Sequence, residues 1–400
     1  MLLSIEYPFQ PIHPSPAGRA VCQLFGIRAT TTPHRICHQY ELQLQPNDLV
    51  LITGASGSGK SSILRDLSNR LGGVMLPQIP PGPQAVIDLF ELPLAERFSL
   101  LASCGLAESR LLLRSAQALS EGQRYRLRLA LALAASHQRP IVADEFAALL
   151  DRTTAKVLAY TLRRRWQHDP RTILLATSHD DLLPDLQPTV HIHCQENQPL
   201  QVRRLSQDLQ RPISFHPELH IEDGTMLDWY PFAQWHYRSR NISFVRSVQV
   251  LKHVDKTVGV IVFAAPAASL RLRTMFFGWK HPRTSEALRE MNRSLWVLSR
   301  VVMHPQYRGA GLGRWLIEEA CKRCPVPWIE TLAAMGEVNP VFEHAGFARI
   351  GQIEAQANTH AGDQYGRKYA PHAAGTPQYR GPVYYIRDNR KEIAHYVSEA

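Results

Sequence analysis

Apolar residues fall along this chain in two successive systems. From about residue 21 to 205, short continuous apolar runs alternate with segments of helical spacing. "DLVLITG" (48–54), "RPIVADE" (139–145) and "RTILLATSH" (171–179) are β-branched runs of buried-strand type. Between them lie "KSSILRDLSNRL" and "GQRYRLRLALALAA", which read as helices. That alternation predicts an α/β fold with a parallel-rich sheet and flanking helices. The polar stretch 193–212 reads as an edge hairpin and linker. A second apolar system begins near residue 213. It offers the strands "FVRSVQVLKHV", "TVGVIVFAAP" and "LWVLSRVVMHP", then a glycine turn running into the amphipathic helix "LGRWLIEEACKR". A strand in "PWIETLAAMG" and a short helix in "NPVFEHAGF" follow. Residues 1–20 are proline-rich and read as an extended arm, and 353–400 form a basic, polar extension with no readable pattern.

Composition narrows the setting. The chain of 400 residues has length for two or three domains. Its longest apolar tract, "LALALAA" at 129–135, is far short of the ~18 residues that would suggest a membrane span. The N-terminus lacks the pattern of a signal peptide, so the cytoplasm is the expected compartment. The six cysteines are scattered; Cys321 and Cys324 form one CxxC without a second pair, and read as small apolar helix residues. The net charge of +10 is uneven. Residues 1–210 hold 21 Lys+Arg against 18 Asp+Glu, and residues 211–400 hold 24 against 17. The second half therefore favours acidic partners such as nucleic acid or CoA phosphates.

The first chemical signal is "GASGSGKSS". Gly54, Gly57 and Gly59 precede Lys60, Ser61 and Ser62, after a strand and at the opening of a helix. Glycines let backbone N–H groups face phosphates, and the helix N-terminus adds positive potential. Lys60 would neutralise β/γ-phosphates and Ser61 would ligate Mg²⁺. Asp144, ending the apolar run "IVAD", can hold the magnesium, and Glu145 beside it can polarise an attacking water. With Gln78, the "LSEGQ" stretch carrying Ser120, Gly122 and Gln123, Asp151 and His179 in this order, residues 21–205 resemble the ATPase domain of the ABC family. The resemblance implies ATP and Mg²⁺ as ligands, Ser61, Gln78 and Asp144 around the metal, Glu145 and His179 as catalytic groups, and a homodimer in which Ser120, Gly122, Gln123 and Asp151 complete the partner's site. Glu121 stands where that family usually has glycine. Phe25 and Tyr40 are candidates to stack on adenine, the alternative for each being a core residue.

The second signal is "QYRGAGLG". Arg308, Gly309, Gly311 and Gly313 follow a strand and precede a helix, without the lysine and hydroxyl of the first cradle. With its flanking strands, region 206–352 resembles the GCN5-related N-acetyltransferases, a mixed α/β fold. The resemblance implies acetyl-CoA or another acyl-CoA held by the 308–313 turn and by the strand around Val301 and Met303. Phe342 occupies the position where many members carry a proton-donating tyrosine. Glu330 is a candidate base or a structural strand residue, and Asn339, Glu343 and His344 are further candidates, the last two with the alternative of a solvated helix face. Upstream, Trp235, His236 and Tyr237 lie among aromatics and arginines that could stack a base and hold phosphate; the alternative is an amphipathic core helix. "HYR" and "LSRVV" are more distantly similar to the Mom-type phage enzymes that modify adenine in DNA. Two functions stay open: an ATP-dependent acyltransferase acting on a macromolecular amine, nucleic acid among the candidates, or an ATPase switch or clamp whose second domain binds without acylating.

Overall fold

A computed structural model describes residues 1–7, 15–26, 34–135, 139–196, 198–236, 242–279, 284–353 and 381–391. The chain divides into two compact units. Met1–Pro83 with Ala116–Ser214 form the first, and Gln84–Ser115 with the chain from Phe215 form the second. The chain thus passes between units after residues 83, 115 and 214.

In the first unit, β1 (Leu2–Tyr7) pairs antiparallel with β2 (His34–Glu41), and α1 (Pro16–Phe25) lies between them in sequence. Then come β3 (Leu49–Gly54), α2 (Lys60–Leu71) and β4 (Val74–Met75). After an excursion that gives the second unit α3 (Leu94–Ser103) and α4 (Ser109–Leu112), the chain returns as α5 (Glu121–Ala134) and β5 (Ile141–Ala143). It continues with α6 (Arg152–His168), β6 (Ile173–Ala176), α7 (Leu183–Leu186), β7 (Val190–Cys194) and β8 (Gln201–Arg204). The sheet order is β4-β5-β6-β3-β7-β8, parallel except for the β7–β8 hairpin. β3, β5 and β6 are buried along their whole lengths, which is why they read as continuous apolar runs rather than alternating ones. Asp48 enters this core at the foot of β3. Both its oxygens take bonds from Arg204, with Thr189 Oγ1 and the Gln45 N–H adding to them.

The second unit holds β9 (Leu219–Gly224), α8 (Met226–Phe232), β10 (Val245–His253), β11 (Lys256–Ala264), α9 (Arg271–Phe277) and α10 (Ser285–Ser294). β12 (Leu295–Met303), α11 (Leu312–Lys322), β13 (Trp328–Ala333), α12 (Val341–His344), β14 (Ala348–Gln352) and β15 (Val383–Asp388) complete it. Its seven-stranded sheet runs β14-β15-β13-β12-β11-β10-β9. Only β12 and β13 are parallel, and they pair over Leu295, Trp296 and Val297 alone, opposite Trp328, Ile329 and Glu330. The rest of β12 keeps its ladder to β11 but has no strand partner on the β13 side among the described residues.

The structure departs from the sequence pattern at both ends of the chain. The proline-rich start contributes strand β1, whose Leu3 is fully buried against the first core. The unpatterned tail contributes β15, which lies between β14 and β13, one strand in from the edge of the second sheet. Asn389 fixes its end by donating to the carbonyls of Cys321 and Cys324. Residues 84–115 group with the second unit rather than with the sequence that surrounds them.

Candidate functional site

The first unit's named residues gather at one edge of its sheet. Gly54 ends β3, Gln78 follows β4, Asp144 follows β5 and His179 follows β6, so all four leave the carboxyl ends of parallel strands. Ligands of open α/β sheets bind at that edge. The turn after β3 cannot carry side chains where glycines stand. Gly54 has φ 142°, and a Cβ there would meet the Cys194 carbonyl oxygen at 2.1 Å, a backbone atom that cannot step aside. Gly57 and Gly59 also have positive φ, and Gly59 caps α2 without a side-chain bond. Ser58 Oγ is buried in this turn with no hydrogen-bond partner. Lys60 Nζ donates to the Ala55 carbonyl at 2.6 Å, closing the loop on itself. Ser61 and Ser62 occupy the first turn of α2, half-buried.

Asp144 accepts from the Glu145 N–H at 2.9 Å, and Glu145 is exposed with φ 50°, a left-handed conformation that a non-glycine residue seldom adopts. Ser120 caps α5 in a reciprocal capping box with Gln123. Gly122 is tight for a different reason: a Cβ would stand 2.9 Å from the Leu150 side chain, next to Asp151. Asp151 caps α6 through bonds from the Thr154 amide and hydroxyl. Glu121 projects from the exposed start of α5 and pairs with Arg124. His179 is half-buried and donates its N–H to Thr177 Oγ1. Gln78 is exposed beside an apolar cavity of about 250 Å³ lined by Met75, Pro80 and Leu131.

In the second unit, the 308–313 turn connects β12 to α11. Gly309 and Gly311 have φ 97° and 79°, and Gly311 is the N-cap of α11 with open space where a Cβ would be. The first amides of α11 lack intrahelical acceptors, as at any helix N-terminus. Arg308 is half-buried, and burial holds its guanidinium below the usual arginine range, against the opposing pull of Glu108. Its Nε donates to the Met303 carbonyl at 3.0 Å, so that carbonyl already has one partner. Gly313 is the second residue of α11, where a Cβ would stand 3.6 Å from the Met303 side chain, while Val301 pairs with Ile261.

Glu330 is corrected by its surroundings. It is buried, and both its carboxylate oxygens accept from Arg273, itself 1% exposed. Tyr384 Oη donates to the same carboxylate at 2.7 Å, and burial with the Glu330 charge pushes that phenol far up. Three of the roughly four lone-pair positions of this carboxylate are taken, so Glu330 is engaged as a buried ion pair with Arg273. Phe342 packs edge-on against Phe347 and tilted against Tyr385, with ring centroids 5.6 and 5.7 Å away. Tyr385 was outside any sequence pattern; its hydroxyl donates to Glu343 Oε1 at 2.7 Å. Asn339 is exposed and accepts from the Val341 N–H at the start of α12.

The aromatic cluster is core in large part. Trp229 is fully buried, Trp235 packs edge-on against Phe232 and His304, and His236 against Trp229. Tyr237 and the arginines at 238 and 240 lie outside the described residues. Cys321 and Cys324 are buried on and just after α11, and burial pushes the Cys324 thiol up.

No family model and no curated protein matches the sequence. Among solved structures, the dimeric post-hydrolysis ATP-binding cassette MJ0796 bound to ADP and Pi aligns at 18% identity and TM-score 0.37. The match covers 52% of this chain and 99% of that one. A putative metal-chelate type ABC transporter in an inward-facing conformation aligns at 17% identity and TM-score 0.34, over 51% of this chain and 82% of that one. The cassette cbiO1 from Clostridium perfringens gives 18% and 0.34, over 42% and 82%. Scores this low transfer neither activity nor mechanism. Among the described residues, no helix is long and apolar enough to cross a membrane.

Proposed function

We propose that the chain is an ABC-type ATPase joined to an acyl-CoA-dependent N-acyltransferase. The observation that carries the first half is the arrangement at the carboxyl edge of the first sheet. A turn in which glycine is obligatory at 54 opens a helix at Lys60, and Asp144 and Glu145 leave the end of β5. The donor set fits a nucleoside triphosphate with Mg²⁺: Ser61, Gln78 and Asp144 would hold the cation, whose charge would screen the phosphates. Lys60 would turn from the Ala55 carbonyl to the phosphates, Glu145 would orient and deprotonate the attacking water, and His179 would contact the terminal phosphate. Ser120, Gly122, Gln123 and Asp151 would serve the partner in an ATP-closed homodimer. Glu145→Gln is expected to slow ATP hydrolysis about 100-fold or more while nucleotide still binds. Wild-type hydrolysis rates in Glu145→Gln and Lys60→Ala would reject this half.

For the second unit, the reading rests on the 308–313 turn at the head of α11, suited to a pyrophosphate, and on the β12 edge left open beside it. An acyl thioester lying along that edge would present its carbonyl to an acceptor amine. The C–N bond forms as the C–S bond breaks, and the thiol leaves. The excess of positive charge in residues 211–400 favours an acceptor on nucleic acid. Labelled acetyl-CoA incubated with the protein, ATP and DNA, tRNA or protein acceptors tests this. Label should move to an acceptor, and Gly311→Glu should abolish both binding and transfer. The engagement of Glu330 and the missing hydroxyl of Phe342 favour a second reading, an ATPase clamp whose second unit binds acyl-CoA without transferring it. Binding without transfer to any acceptor class selects that reading.

A further inference from the structure

A second cluster of ligating side chains stands beside the phosphate turn. His191 and His193 are two residues apart on β7, so they project to one face of the strand. Thr53, which faces His193 in the β3–β7 ladder, is fully buried, and its hydroxyl lies 2.9 Å from His191 Nε2 and 3.0 Å from His193 Nδ1. Asp180 begins the short turn after β6, and β6 and β7 are the two neighbours of β3 in the sheet. One ligand atom from each of Asp180, His191 and His193 lies within 4.8 Å of the others.

We propose that Asp180, His191 and His193 form a binding site for a divalent transition-metal cation, with Zn²⁺ the best match. Two imidazoles and one carboxylate suit Zn²⁺, Co²⁺ or Ni²⁺, whereas Mg²⁺ prefers oxygen ligands and water. Zinc bonds of about 2.0–2.2 Å place tetrahedral ligand atoms roughly 3.4 Å apart, so closing the cluster from 4.8 Å takes a movement of up to about 1.4 Å. Asp180 is exposed and free to make it. Thr53 stays beneath the rings as a hydrogen-bonding support, the kind of outer partner that orients ligating histidines. Three protein ligands leave a fourth position open. The placement also has a consequence for the nucleotide edge. Asp180 directly follows His179, and Thr53 directly precedes Gly54. A bound cation would tie the His179 turn to the strand that feeds the phosphate loop. This consequence, unlike the site itself, rests on the proposed ATPase reading.

The test needs neither nucleotide nor acyl-CoA. The full chain is titrated with Co²⁺ as a spectroscopic probe and with Zn²⁺ in competition. The chain's 18 histidines and six cysteines make total metal content a poor readout, so variants are compared with wild type. Wild type should give tetrahedral Co²⁺ absorption bands without thiolate charge transfer, displaced by Zn²⁺ and unaffected by millimolar Mg²⁺. Asp180→Asn changes only an exposed carboxylate and should weaken Co²⁺ binding tenfold or more with folding intact. His191→Ala/His193→Ala should remove the bands. Identical titrations for wild type, Asp180→Asn and the double variant overturn the proposal, as does a wild-type spectrum dominated by thiolate ligation.

Discussion

Replacing Glu330 with Leu leaves the Arg273 guanidinium buried without a counter-charge. Both side chains are nearly inaccessible, at 3% and 1% exposure, so water cannot substitute for the lost carboxylate. Breaking a buried pair from one side costs about 3–5 kcal/mol, and the orphaned Tyr384 hydroxyl adds about 1–3 kcal/mol. Arg273→Met should be similarly damaging, because it strands the carboxylate. The double variant Arg273→Met/Glu330→Leu removes both charges together and should recover most of the loss, with a favourable coupling of at least about 2 kcal/mol. Adding Tyr384→Phe should recover more. Amide hydrogen exchange across β13 and β15 reports the opening free energy of this part of the sheet without requiring the whole chain to unfold in one step. Strict additivity of the two single variants would refute the ion-pair reasoning. So would a Glu330→Gln protein of unchanged exchange protection that had lost acyl transfer alone, the signature of a base.

Other expectations follow from single contacts. Gly54→Ala should destabilise the first unit by about 3 kcal/mol, the upper range for overpacking, because its Cβ would strike the Cys194 carbonyl; unchanged thermal stability would contradict the turn geometry. At Asp48, burial alone would raise the carboxyl, but bonds from Arg204, Gln45 and Thr189 outweigh it and hold the group below its ordinary value of 3.8. Its contribution is therefore present above that value and lost as the pH falls through the lower folded value. Asp48→Asn should cost about 1.5 kcal/mol at pH 7, the low end for a charged hydrogen bond because Arg204 is 44% exposed. Denaturation at pH 7 and at a pH well below 3.8, under the folded value, checks whether the gap closes, and a gap that persists there would assign the cost to packing. Ending the chain before Gly381 should unfold the second unit, since it removes the strand between β13 and β14; native-like circular dichroism and solubility in that truncation would contradict the sheet order.

What the sequence disclosed depended on whether the information was local. The strands flanking the phosphate turn were legible because burial on both faces makes them continuous apolar runs, and the observed β3, β5 and β6 fall inside the runs read from 48–54, 139–145 and 171–179. The two glycine turns were legible because backbone geometry restricts those positions to glycine. β1 and β15 were not, for opposite reasons. The prolines after β1 dominate the composition of the first 20 residues, and β15 is six residues set in a long polar tail, too short for a period to emerge. Its place in the sheet depends on pairing with β13, more than 50 residues upstream. The same non-locality hides the surroundings of Glu330 from the sequence. A carboxylate on a strand beside a cofactor turn looks like a base until Arg273, 57 residues earlier, and Tyr384, 54 residues later, are found on its oxygens. The histidines of β7 were passed over because two residues of an ordinary alternating strand carry no signal alone. Only the strand order, which sets β3 between β6 and β7, brings Asp180 and Thr53 to them and makes the group chemically meaningful.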